Sequence, residues 1–124
     1  MSLSRIILRL ARNPGTEFAN GDDHRGYVLT APLTSDGHLD EAAYSRRRDA
    51  CQVRRFAPDE DPADGHLVRR GARWFFDYEE AEDDEVDEPV YRLGEHRFLV
   101  GEYVTITDDA GRPLTYKVVE VAPA

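Results

Sequence analysis

Arginines grouped near an aromatic side chain are the residues of this chain best suited to binding chemistry. Eight of them lie within a stretch of 28 positions, and Phe75 follows the last by two. A guanidinium group binds phosphate through paired N–H donors, and aromatic rings stack on nucleic-acid bases. This combination predicts a binding surface for single-stranded nucleic acid. Its candidate residues are Arg54, Arg69, Arg70, Arg73 and Phe75, and the group also includes Arg46, Arg47, Arg48 and Arg55.

The same residues also fit an ordinary protein surface. Phe75 would then pack in the core, where aromatic side chains contribute most, and the arginines would pair with carboxylates in solvent. We favour this interpretation over nucleic-acid binding. Outside one acidic run the chain holds equal numbers of acids and bases, a balance that does not favour phosphate.

The acidic run extends from Asp77 to Glu88, where nine of twelve residues are acidic and none is basic. Subtracting these nine from 25 acids leaves 16, equal to the 16 bases, so the run alone produces the formal charge of −9. The sequence predicts a single domain over residues 1–124 with an acidic loop insertion at about 77–89. We expect a solvated loop, since like charges repel. The alternatives are that it masks the arginines or offers nucleic-acid-like charge to a basic partner.

Catalytic and metal-binding patterns receive little support. Cys51 is the only cysteine, so an internal disulfide is excluded, and it follows an alternating strand pattern typical of a buried, inert thiol. The segment Asp59–Gly65 is superficially similar to a calcium loop, but Ala63, Asp64 and Arg70 occupy the positions that need a ligand, a glycine and a glutamate. No zinc spacing or phosphate-binding glycine loop is found. The sequence therefore predicts no catalytic residue, no metal and no cofactor.

Short alternating segments must position these residues. The predicted strands are Ile6 to Leu10, Tyr27 to Leu33, Cys51 to Phe56, Leu67 to Tyr78, Val90 to Leu93, His96 to Val100, Glu102 to Thr107 and Leu114 to Val121. One helix is expected from Leu39 to Arg48, capped by Asp36 or Asp40, and Asp59–Gly65 is expected to be a loop. The pattern indicates a mainly β fold, a small antiparallel β-barrel or strongly bent sheet of six to eight strands with one short helix.

Within the longest predicted strand, Leu67 to Tyr78, alternation divides the side chains between two faces. Trp74, Phe76 and Tyr78 would share one face. Arg69, Arg73, Phe75 and Asp77 would share the other, and this placement is the geometric basis of the arginine and aromatic surface.

The segment from Gly101 to Val121 carries a resemblance to known proteins. Its Gly-acid-x-Val-x-Ile strand, its turn and its Tyr-x-Val-x-x-Val strand look like the closing hairpin of many small β-barrel domains. The chain resembles uncharacterised small bacterial β-barrel proteins of unknown function. The resemblance implies the fold, and it implies no activity or site.

The sequence leaves three hypotheses about the function of the protein. The leading hypothesis is a cytoplasmic, bacterial barrel without catalytic activity that binds another protein. It has no apolar stretch of about 20 residues that would cross a membrane and no signal-peptide pattern at its start. The alternative is a single-stranded nucleic-acid-binding barrel, with the acidic loop as a gate. The third is an enzyme whose site is assembled from scattered residues. The oligomeric state is left open.

Overall fold

The structure, a computed structural model, describes residues 3–71, 73–78, 88–90, 96–107 and 111–124, with the backbone alone at 88–90. Eight strands are present in the described ranges: β1 Ser4–Leu10, β2 Asp22–Ala31, β3 Gln52–Ala57, β4 Glu60–Arg70, β5 Arg73–Tyr78, β6 Glu88–Val90, β7 Tyr103–Thr107 and β8 Pro113–Pro123. A six-residue helix, α1 Glu41–Arg46, and a 3₁₀ turn, Arg48–Ala50, precede β3. Within these ranges no helix is both long and apolar enough to cross a membrane.

All eight strands belong to one antiparallel sheet in the order β6-β5-β4-β3-β2-β1-β8-β7. Strands β1 to β6 form a meander, and the β7–β8 hairpin joins it because β8 pairs with β1. The sheet curls into a half-barrel, and its two edge strands approach each other. The predicted mainly β fold, a bent antiparallel sheet with one short helix, is confirmed.

Contacts between aromatic rings show how strongly the sheet bends. Tyr27 on β2 lies 5.2 Å from Phe76 on β5 and 5.1 Å from Tyr116 on β8, measured between ring centroids. Neighbouring strands are about 4.8 Å apart, so a flat sheet would separate β2 from β5 by about 14 Å. The rings can touch only because the sheet curls around them. They form the centre of a core that includes the fully buried Ile6 and Leu8 of the predicted apolar face of β1.

Two glycines allow strands to approach where the sheet bends. A Cβ atom on Gly26 would overlap the backbone carbonyl of Leu8, and one on Gly65 would overlap the carbonyl of Asp77. In each case the obstacle is backbone, which cannot rotate away as a side chain can. Glycine is therefore required at both positions by close packing, whereas neither position has the positive φ of a tight turn.

Three predictions about individual elements are wrong. Leu67 to Tyr78 is two strands, β4 and β5, because Gly71, with φ of +64°, turns the chain back on itself. Asp59–Gly65 is largely strand, since β4 begins at Glu60 and its first residues pair with β3; this pairing overrides its turn-like composition. His96 to Val100 is not a strand.

The predicted helix is present but shorter than expected, and Asp40 is its N-cap, accepting a hydrogen bond from Ala43 N at 3.1 Å. Its Tyr44 packs edge-on against Trp74, with 4.9 Å between ring centroids, and donates a hydrogen bond to Leu67 O at 2.9 Å. The helix thus covers one end of the curled sheet. Most of the acidic loop, residues 79–87, lies outside the described residues, and so do the predictions made about it.

Cys51 lies within this packing, so the reactivity of its thiol reports whether the core is closed. Its side chain is fully buried and its thiol donates to the carbonyl of Arg47 at 3.3 Å. Burial raises the pKa of the Cys51 thiol, and the nearby Arg47 guanidinium only partly opposes this shift.

We expect Cys51 in the native protein to react with a thiol-specific disulfide reagent at least about a hundredfold more slowly than in denaturing urea, because reaction requires the core to open. The measurement is the rate of colour release at neutral pH across a urea series. A native rate near that of a free cysteine would contradict the buried placement.

Candidate functional site

The five residues predicted to bind nucleic acid do not form one surface. Arg70 and Arg73 are directly opposite each other on β4 and β5, and Phe75 lies on the same outward face as Arg73. The guanidinium of Arg70 lies 5.1 Å from the centre of the Phe75 ring. Phe75 is half-buried on the outer face, so the expectation that it packs in the core is wrong.

Arg54 is on the outer face too, but it is distant from this group and is already paired. It lies opposite Asp64, six residues along β4 from Arg70, which corresponds to about 20 Å of strand. Its Nε and Nη2 atoms donate to the two carboxylate oxygens of Asp64 at 2.6 and 3.0 Å. This hydrogen-bonded pair lowers the pKa of Asp64 and raises the pKa of Arg54.

Arg69 lies on the opposite face from Phe75. It is directly across from Trp74, and its Nη2 atom contacts Glu41 Oε2 of α1 at 3.1 Å. The prediction that Arg69 shares a face with Phe75 is wrong, because the turn at Gly71 breaks the alternation on which it depended. The structure therefore brings together Arg70, Arg73 and Phe75, and it separates Arg54 and Arg69 from them.

A different surface feature is found near the start of β7. Four large apolar side chains are exposed, and we call them the exposed apolar cluster: Leu99, Val100, Tyr103 and Val119, with exposed fractions of 38, 66, 54 and 38%. Within the described residues these are the large hydrophobic side chains that are exposed. They are brought together by backbone hydrogen bonds from Gly101 N to Val118 O at 2.9 Å and from Glu102 N to Leu99 O at 3.0 Å.

The β-ladder and a bulge explain why this cluster faces solvent. Tyr103 is opposite Lys117, and the buried Val118 points the other way, into the core. Across the next ladder, Leu8 pairs with Val118 and Ile7 with Glu120, so Val119 is an extra residue in β8. Such a bulge changes the direction of a side chain and is frequent at functional edges.

Two cations extend the same face. Lys117 lies between Tyr103 on β7 and Arg9 on β1, and directly opposed residues share a face. Both cations are exposed, and neither contacts a carboxylate of the described residues. By contrast, Arg5 farther along β1 is paired with Glu120 at 3.0 Å. The face therefore combines an exposed tyrosine and aliphatic side chains with positive charge.

The loop before α1 holds the cluster in place. Phe98 is fully buried, and its N–H donates to Gly37 O at 2.8 Å, while Arg97 Nε donates to Asp36 O at 3.2 Å. Gly37 has φ of +93°, and a Cβ there would lie 3.1 Å from Leu99 Cδ2. The exposed apolar cluster is thus built on an ordered support. The sequence did not predict the exposed apolar cluster. The one pattern that could have indicated it is the adjacent pair Val118-Val119, which interrupts strand alternation.

Within the described ranges, no group of three His, Cys, Asp or Glu side chains is close enough to hold one metal ion. Comparison of the chain with protein families, with characterised proteins and with solved structures found no match.

The supporting loop contains a carboxylate whose ionisation can be tested. Asp36 accepts hydrogen bonds from the Thr34 hydroxyl and from His38 Nδ1, the latter at 3.0 Å. The Thr34 hydrogen bond, followed by that of His38, lowers the pKa of Asp36 to about 2 from the usual 3.8. Because the folded pKa is the lower one, the ionised carboxylate stabilises the fold above pH 3.8 and this contribution is lost as the pH falls towards 2.

We expect Asp36→Asn to lose less free energy of unfolding than the unaltered protein between about pH 4 and pH 2, because the variant has no carboxylate to protonate at position 36. Urea unfolding of both proteins across this range measures the slope. Asp59→Asn, an exposed change in the β3–β4 turn, is the control and should retain the slope of the unaltered protein. An unchanged slope in Asp36→Asn would contradict the assignment.

Proposed function

We propose that this protein is a non-catalytic binding barrel that docks an acidic segment of another protein on the exposed apolar cluster. The observation that carries the proposal is the exposure of Leu99, Val100, Tyr103 and Val119 on segments that backbone hydrogen bonds hold next to one another. Single exposed apolar residues are ordinary, but a contiguous group marks an interaction site. Tyrosine is also among the residues enriched at the energetic centre of interfaces.

The charge of the surface supports the choice of partner. Arg9 and Lys117 continue the face of Tyr103 without a carboxylate partner among the described residues. Positive charge beside an apolar anchor favours a segment that carries apolar side chains flanked by Asp or Glu. Charge complementarity of this kind increases the rate of association and disfavours other partners.

We also propose that the protein is cytoplasmic and bacterial. Its single cysteine is an unpaired, buried thiol, as is typical of proteins in a reducing compartment. The proposal of a bacterial origin rests only on the resemblance of the chain to small bacterial barrel proteins.

We expect Tyr103→Ala to reduce capture of an acidic partner from bacterial lysate by at least about tenfold, since a truncated central tyrosine typically costs this much or more. Lys117→Glu should also reduce capture, and its effect should grow as salt is lowered, because the new carboxylate repels the acidic partner and less salt screens that repulsion. Thr105→Ala, on the outer face of the same strand, is the matched control and should leave capture unchanged. The measurement is quantitative mass spectrometry of proteins cross-linked through a photoreactive group at position 100.

Exposed substitutions away from the core change stability by only about 0.5 kcal/mol, so each variant should retain its urea midpoint. The proposal fails if the same proteins are captured equally by Tyr103→Ala and Lys117→Glu. It also fails if sedimentation shows that the chain forms a dimer weakened by these two changes, which would assign the surface to a second copy.

A second candidate function is binding of single-stranded nucleic acid, supported by the stacking of Arg70 on Phe75 beside Arg73. A cation over an aromatic ring is a geometry that also accommodates a stacked base and its phosphate. This surface is smaller than predicted, because three of the five candidate residues remain together.

For this alternative we expect a 15-nucleotide oligothymidine to bind in low salt, and Phe75→Ala to weaken that binding. Arg73→Glu should weaken it too, and should reduce the slope of log affinity against log salt by about the amount that one phosphate contact contributes. Fluorescence anisotropy of labelled oligonucleotide measures both effects. Arg46→Glu, on α1, carries the same charge change as a control. Absence of binding in low salt, or equal losses in the control, would reject the alternative.

A further inference from the structure

A cavity of about 330 Å³ opens at the end of the half-barrel opposite α1. We call it the mouth cavity, and the lining residues that matter here are Phe18, Arg25, Tyr27, Phe56, Arg112 and Tyr116. It is formed where β2 begins, β3 ends and β8 begins, together with the loop after β1. The mouths of β-barrels are common ligand sites, and this volume suits a ligand of one or two rings.

Arg25 is directed to the cavity by an irregularity in β2. Arg9 pairs with Gly26 and the next residue, Leu10, pairs with Asp22, so three residues of β2 bulge out against a single step of β1. The bulge is ordered, since Asp22 Oδ1 accepts a hydrogen bond from His24 N at 2.9 Å. Gly26 ends it at a point where a Cβ would overlap the β1 backbone. Bulges at barrel rims redirect functional side chains in this way.

The Arg25 side chain has an unfulfilled donor. Its Nε atom is buried and makes no hydrogen bond, although it forms an ion pair with Asp22 Oδ2 at 3.5 Å, and 28% of the side chain remains exposed. Its guanidinium lies 4.9 Å from the centre of the Phe18 ring. Buried polar atoms in proteins are nearly always hydrogen-bonded, so the Arg25 guanidinium retains donors that a bound oxyanion could use.

Arg112 approaches the same ring and is fixed in position. Its Nη1 atom contacts both carboxylate oxygens of Glu17, at 2.9 and 2.7 Å, and its guanidinium lies 5.6 Å from the Phe18 centroid. Arg55 and Glu60 also line the cavity. The lining therefore carries three cations and two carboxylates, one of which is already engaged by Arg112.

The floor of the cavity is aromatic and its rim is held rigid. Tyr27 and Tyr116 are almost fully buried and meet edge to face, with 5.1 Å between ring centroids. The loop that carries Phe18 is clamped by Asn13, which donates to Thr115 O at 3.1 Å and accepts from Thr115 N at 2.9 Å. Asn13 N also donates to Phe18 O at 3.0 Å. A site with these properties is preorganised for a flat ring with an anionic substituent.

We propose that the mouth cavity binds a small ligand composed of a planar ring and an oxyanion, either a carboxylate or a phosphate. The oxyanion accepts hydrogen bonds from Arg25, whose planar fork matches both anions. The ring packs against the half-buried side chains of Phe18 and Phe56 in the cavity lining. Leu114 and Tyr116 line this site from the inner face of β8, whereas Lys117 and Val119 lie on its outer face, and the ligand proposal is independent of the protein-docking proposal.

The test is calorimetric titration of the full chain with phenyl phosphate and with benzoate. We expect saturable binding of at least one of them, about tenfold or more tighter than the binding of inorganic phosphate or phenol. Inorganic phosphate lacks the ring and phenol lacks the oxyanion, so each makes only part of the contacts. The tighter of phenyl phosphate and benzoate identifies the oxyanion. Arg25→Gln should weaken binding by about tenfold or more, as expected for loss of a charge-assisted hydrogen bond.

Arg12→Gln is the matched control, because it removes one charge from the exposed part of the same loop region but does not line the cavity. Arg25→Lys keeps the charge, removes the fork and should also lose affinity. In the unaltered protein, amide resonances of residues 17–18, 25–27, 112 and 114–116 should shift on titration, a readout that needs no variant. The proposal is overturned if both ring anions bind no tighter than inorganic phosphate, if Arg12→Gln loses as much affinity as Arg25→Gln, or if the shifts lie elsewhere.

Discussion

The contact of Tyr27 with Phe76 and Tyr116 is the constraint on which the rest of the fold depends. These rings come from strands two and three places apart in a single sheet, yet their centroids are about 5 Å from one another. One sheet of short strands has no second layer to cover its apolar face, so it must curl upon itself to bury that face. The bend then requires local exceptions to regular pairing. Gly26 and the bulge that precedes it are such exceptions, and both lie on the strand that carries Tyr27.

The curled sheet has two ends, and different elements lie at each of them. At one end α1 packs Tyr44 on Trp74 and bonds its hydroxyl to the β4 backbone, so the interior is covered. At the other end no such helix is found among the described residues, and the loop held by Asn13 forms a rim around a cavity. A buried asparagine is costly unless its hydrogen bonds are made, and here they are made to the first residues of β8. The same bonds that satisfy the asparagine therefore fix the side chains of the mouth cavity.

Sequence patterns predicted those parts of the structure that depend on local alternation and capping. Ile6 and Leu8 face the core as expected, and Asp40 caps the helix. Prediction failed where pairing partners decide the outcome. Glu60–Arg70 has the composition of a loop at its start but becomes a strand between two neighbours, and Gly71 reverses the chain where alternation alone indicated continuation. The bulges that present Arg25 and Val119 depend on register between distant segments, which one sequence does not reveal.

The same dependence on register explains why the spacing of arginines in the sequence does not show which of them lie together on the surface. Arg54 is opposite Asp64 in the ladder and is neutralised by it, whereas Arg9 is opposite Lys117 and the two cations reinforce each other. The arginine-rich segment is therefore partly paired, and Arg9, from a segment with few arginines, lies on the face that we propose for docking. Cross-strand neighbours, about 5 Å away, determine which charges remain available to a partner. Among the described residues, the curl and register of the sheet therefore decide which cations face a carboxylate across a ladder and which end of the interior α1 covers.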